Sequence, residues 1–142
     1  MSQKLIEAGA GCTGRVEAIA HESLVGTKVF VPVSGFNRNE PNKHMVSVVI
    51  GQSFGSDAKV SHGLTSIVAA PGPGGSRCEG YQFQVMPSPL ACKDIQDDIL
   101  KSGSAVADLA GFPLLRNATG QIALMPAAGG NGCVVVSFHS EY

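Results

Sequence analysis

Four cysteines, four histidines and one glycine-rich hexapeptide carry most of the chemistry this sequence could offer. Cys12, Cys78, Cys92 and Cys133 form an even set without a C-x-x-C spacing, which argues against a zinc ribbon or a dithiol redox motif. As free thiols they would pack as small apolar residues. If all are bridged, three pairings are open. Each cysteine lies at the end of an expected element, where a staple fits, so two disulfides are the expectation. Cys78–Cys92 would tie the start of a strand to the first turn of the following helix, and Cys12–Cys133 is left by elimination.

His21, His44, His62 and His139 lack the i, i+4 spacing of a helical zinc pair, and none stands beside two cysteines. They read as exposed or hydrogen-bonded groups at strand ends. Gly9-Ala10-Gly11-Cys12-Thr13-Gly14 fits G-x-G-x-x-G, the turn that lets backbone approach a pyrophosphate. Its context fails. Lys4–Ala8 is a short, weak strand, Arg15–His21 reads as a strand where a helix is required, and no acid ends Val29–Val33. Gly72, Gly74 and Gly75 lack a following Gly-Lys-Ser/Thr, and the prolines among them remove amide donors a phosphate would need. No cofactor is therefore expected.

Nucleophilic catalysis needs a Ser or Cys on a sharp turn with a base converging on it. No G-x-S-x-G occurs, and the nearest candidates, Ser53 and Cys133, have no marked partner. Asp94, Asp97 and Asp98 fall on the outer face of a helix, where nothing would desolvate them into an acid–base pair. Asn117-Ala118-Thr119 fits a glycosylation sequon but reads more simply as a turn.

The elements that position these residues are mostly strands. Glu79–Met86 alternates, with Tyr81, Phe83 and Val85 on one side and Gly80, Gln82 and Gln84 on the other. Ser88 and Pro89 then suit the cap and first position of a helix over 89–101, with Cys92, Ile95 and Ile99 on its apolar side. Upstream, Arg15–His21, Thr27–Val33, Met45–Phe54 and Val60–Ala70 read as strands, and Gly55–Ala58 as a hairpin loop. Downstream, Ser104–Ala110 suggests a helical turn or two. Gln121–Met125, a candidate uncovered edge, and Cys133–Phe138 are the closing strands. No internal repeat is visible. The reading is a single α+β domain over residues 1–142: mainly antiparallel β-sheet, with one principal helix packed on one face.

Composition narrows the classes. Of 142 residues, 44% are hydrophobic and 18 are glycine, while charged residues make up 15%, against about 25% in an average domain. The net charge is −1 and the ten Lys and Arg are scattered, so no nucleic-acid partner is expected. No apolar run approaches a membrane span. Met1–Glu7 has no signal-peptide pattern, which read alone indicates the cytoplasm. The paired cysteines instead suggest a periplasmic or secreted chain whose leader is not part of this sequence. The functional expectation is a non-enzymatic exported domain that binds a protein partner or small ligand through the loops Ser34–Lys43 and Pro71–Arg77, anchored by Phe36, Arg38 and Arg77. The alternatives are a small hydrolase with a site assembled from distant residues, and a cytoplasmic nucleotide-binding protein using Gly9–Gly14.

Overall fold

The computed structural model describes residues 12–141 except positions 28, 41, 57, 58 and 76. Helix α1 (Thr13–Ser23) precedes β1 (Val29–Phe36), β2 (Val46–Ser56), β3 (Lys59–Pro71) and β4 (Cys78–Ser88). Helix α2 (Cys92–Ile99) precedes β5 (Ser104–Leu109), β6 (Phe112–Asn117), β7 (Gly120–Pro126) and β8 (Cys133–Glu141). The eight strands form one sheet in the order β1-β2-β3-β4-β8-β7-β6-β5, and every neighbouring pair is antiparallel.

That order describes two helix-plus-four-strand units meeting at the β4–β8 seam. Register puts the residues these helices pack on, Val48 and Ile67 in one unit and Leu115 and Leu124 in the other, on one face of the sheet. The strand order reads the same outward from the seam in both units, β4 matching β8 and each other strand its counterpart. The four cysteines follow the same relation. Cys12–Cys78 and Cys92–Cys133 are bridged, each joining the start of a unit's helix to the first residue of that unit's last strand. The expected Cys78–Cys92 and Cys12–Cys133 pairing is corrected. Cys78 begins the 11-residue strand β4 and Cys92 follows its far end. At about 3.3 Å per residue that strand puts roughly 33 Å between its two ends, far beyond the reach of a disulfide.

α1 replaces the strand expected over Arg15–His21. Val16, Ala18 and Ala20 do alternate, but Cys12, Val16, Ile19 and Ala20 also recur at helical spacing, and these are the buried ones, whereas Ala18 is exposed. They pack on Val46, Val48 and Ile50 of β2 and on Ile67 and Ala69 of β3, forming the first core. Gly80 of β4 lies beneath them, where a Cβ would stand 2.6 Å from Ile19 Cδ1, so a larger residue would have to push that methyl aside. A buried polar link fixes the far end of the helix. Gln52 Nε2 donates to the Ser23 carbonyl at 3.0 Å and to Thr27 Oγ1 at 3.2 Å, while Thr65 Oγ1 donates to Gln52 Oε1 at 2.6 Å.

α2 is shorter than the helix expected over 89–101. Pro87 and Ser88 continue β4, paired with Val134 and Cys133, so Ser88 Oγ accepts the Leu90 N–H in a turn and the helix starts only after Ala91. Cys92, Ile95 and Ile99 face the second core of Leu115, Leu124 and Cys133. With two helices on the sheet among the described residues, a single principal helix does not describe the fold. Ser104–Leu109 is a strand, not a helical turn. Ala110 (φ 54°) and Gly111 (φ 95°) close it onto β6 in a two-residue hairpin. β7 is interior, between β6 and β8, and the sheet edges are β1 and β5.

Candidate functional site

The middle of the seam belongs to neither core, although Cys78 packs on the first and Cys133 and Val135 on the second. On the helix side, Gln82, Gln84 and Met86 of β4 stand opposite His139, Ser137 and Val135 of β8. α1 lies over β2–β4 and α2 over β6 and β7, leaving a cleft of about 520 Å³ above Gln82, Gln84, Ser137 and His139. Glu22, Ser23 and Val25 at the end of α1 form one wall, and the Ala118–Gly120 turn forms another. Phe54, Met86 and Ile122 supply the apolar surface. This volume lies within the range of small-ligand sites, and junctions between units are where such sites concentrate.

The turn is built rigidly. Asn117 Oδ1 accepts hydrogen bonds from Thr119 N–H (2.9 Å), Thr119 Oγ1 (2.8 Å) and Gly120 N–H (3.1 Å). Gly120 has φ +150°, and a Cβ there would run into the Phe138 carbonyl, so glycine lets the turn sit directly against β8. Thr119 in turn presents its carbonyl to His139 Nδ1. A carbonyl only accepts, so Nδ1 is the donor in this contact.

The floor differs from the walls in its unmet hydrogen-bonding capacity. The side chains of Gln82, Gln84 and Ser137 are half-buried and are hydrogen-bonded to no described residue. Each carboxamide offers two donors and an acceptor, and the hydroxyl adds one more of each. Groups in this state hold water until a ligand supplies matched partners.

The residues singled out from the sequence lie elsewhere. Phe36 is half-buried against the first core, so its ring serves packing first, bordering only a shallow hollow of about 270 Å³ with Asn37, His44 and Met45. Arg38 is exposed in a bend, and Arg77 is exposed just before β4, its carbonyl accepting the Gly72 N–H at 2.7 Å. Both connections sit at the same end of the sheet, and neither lines the seam cleft. The 34–43 connection is self-bonded. Asn37 Oδ1 accepts the N–H groups of Asn39 and Glu40, and Glu40 pairs with Lys43 at 2.6 Å and His44 at 3.5 Å. The Lys43 hydrogen bond, and then that of His44, hold the Glu40 carboxyl below its ordinary range.

Of the histidines, only His139 enters the cleft; His62 is exposed on the opposite face of the sheet. Among the described residues no three His, Cys, Asp or Glu groups come together as a metal site. Cys133 is bridged and so is no nucleophile. Asp97 and Asp98 pair with Lys93 and Lys101 on the outside of the α2 region. Of the glycine hexapeptide, residues 9–11 lie outside the described residues, and Gly14 is in the first turn of α1. A helix does follow the motif, contrary to the sequence reading, but the described sheet has no parallel pair and hence no βαβ crossover.

With this geometry in hand, comparison with protein-family models gave no match, and searches of curated proteins and of solved structures gave none either.

Proposed function

We propose that this chain is an exported, non-enzymatic binding domain whose ligand site is the cleft at the β4–β8 seam. The observation that carries the reading is the row of unpartnered polar side chains on its floor, Gln82, Gln84 and Ser137, beside the apolar side chains of Phe54, Met86 and Ile122. Carboxamides match other amides best, each donating and accepting, so the favoured ligand is a neutral extended peptide segment of a protein partner. Two bridges support an oxidising location outside the cytoplasm.

A hydrolase is the second reading, because Ser137, His139 and Glu22 all line the same cleft. Against it, neither the Ser137 hydroxyl nor the Glu22 carboxylate is hydrogen-bonded to a described residue, and His139 Nδ1 is taken by the Thr119 carbonyl where an orienting acid would act.

The test is amide chemical-shift mapping of the oxidised protein with a library of short blocked peptides. The proposal expects perturbations clustered at Gln82, Gln84, Ser137 and His139, lost in the Gln82→Ala/Gln84→Ala variant. No clustered perturbation counts against it. Turnover of an activated ester that disappears in Ser137→Ala would replace it with the hydrolase.

A further inference from the structure

The opposite face of the sheet poses a separate question, independent of the cleft. β4 is the most regularly alternating strand in the chain, yet it turns Gly80, Gln82 and Gln84 toward the helices and Tyr81, Phe83 and Val85 away from them. A sheet with one wet face normally does the reverse. β8 carries Val134, Val135 and Val136 in succession, the pattern of a strand covered on both sides. Register places Val31, Val33, Val49, Leu64, Leu109 and Phe112 on this same face, which no described helix covers, all exposed. Phe83 and Phe138, cross-strand partners with ring centroids 5.4 Å apart, lie at its middle on the seam. Among described side chains the only formally charged ones in its strands are Glu79 and Arg116, both at the rim where β3–β4 and β6–β7 connect.

We propose that this face is the interface of a homodimer in which two copies pack sheet against sheet about a two-fold axis. A second copy suits it for two reasons. First, a face without central charge presents nothing that a like face would repel, and a two-fold contact requires such self-complementarity. Secondly, eight strands at about 4.8 Å spacing and about 20 Å of strand length give a footprint on the order of 700 Å², close to the ~800 Å² per partner of a stable interface. Two sheets of the same twist stack about 10 Å apart at a small angle, bringing Phe83, Phe138 and Val85 of each copy to the centre, where aromatic anchors contribute most.

The test is light scattering coupled to gel filtration, with sedimentation velocity, on the full oxidised chain at micromolar concentration. The wild type is expected at twice 14.6 kDa. Val33→Glu and Leu64→Glu, already exposed in the single chain, each set an uncompensated charge in the apolar contact and weaken association by at least about 100-fold while near-UV circular dichroism stays unchanged. Tyr81→Lys gives the same result with the opposite charge, which keeps the test valid if one variant misfolds. Val106→Glu, on the β5 edge, is expected to leave the dimer intact. A monomeric wild type overturns the proposal. So does a dimer that survives both glutamate variants, or one dissolved by Val106→Glu alone, which would mean edge-to-edge pairing instead.

Discussion

Removing the two bridges separately offers a quantitative test of the two-unit architecture. The perturbations are Cys12→Ala/Cys78→Ala and Cys92→Ala/Cys133→Ala. The bridges close 66 and 41 residues of chain. Loop-closure entropy then assigns them about 4.4 and about 3.9 kcal/mol through the unfolded state. For a chain of this size that corresponds to a fall in Tm of roughly 12–20 °C for either pair. The loops do not overlap, since the first closes at Cys78 before the second opens at Cys92, so the losses should add. Together they approach ~8 kcal/mol, comparable to the whole stability of an ordinary domain, ~5–15 kcal/mol. The fourfold alanine variant is therefore expected to be largely unfolded at physiological temperature. Urea titration followed by circular dichroism measures each loss, and a non-reducing peptide map checks the pairing. A cost below about 1 kcal/mol for either pair would refute the reasoning. Recovery of a peptide joining Cys78 to Cys92 would refute the topology itself.

Other outcomes follow from single sites. Thr65→Val keeps the shape of a fully buried side chain but leaves Gln52 Oε1 without its donor, and should cost about 1–3 kcal/mol in urea titration. Ile50→Ala, at the centre of the first core, should cost about 2–5 kcal/mol, whereas Ala18→Ser on the exposed side of α1 should stay within about 0.5 kcal/mol. Gly120→Ala drives a Cβ into the Phe138 carbonyl and should shift the amide resonances of Thr119 and His139 as the turn lifts from β8. The Glu40 carboxyl should titrate by NMR below an ordinary glutamate and move upward in Lys43→Ala. Because its folded pKa is depressed, the small stabilisation it gives is present above the unfolded value and fades as pH falls through the folded one.

How legible each part was depended on the range of the interaction that decides it. The sequence by itself determined the α+β class, the antiparallel character and most strand positions, because alternation over several residues is a local property: β2, β3, β4, β7 and β8 fall where their patterns lie. It also pointed to bridged cysteines, through their even number and their placement at element ends. α1 was ambiguous, since Val16 and Ala20 satisfy a period of two as well as one of 3.6, and only burial against β2 and β3 decided between them. β5 and β6 carry so weak an alternation that the closing hairpin at Ala110-Gly111 and the pairing with β7 define them. The partner of each cysteine, the equivalence of the two halves and the side of β4 that meets the helices all arise from contacts between residues far apart in sequence. The seam cleft belongs to the same class. Gln82, Gln84, Ser137 and His139 each look like ordinary polar strand residues, and only the pairing of β4 with β8 gathers them under one opening.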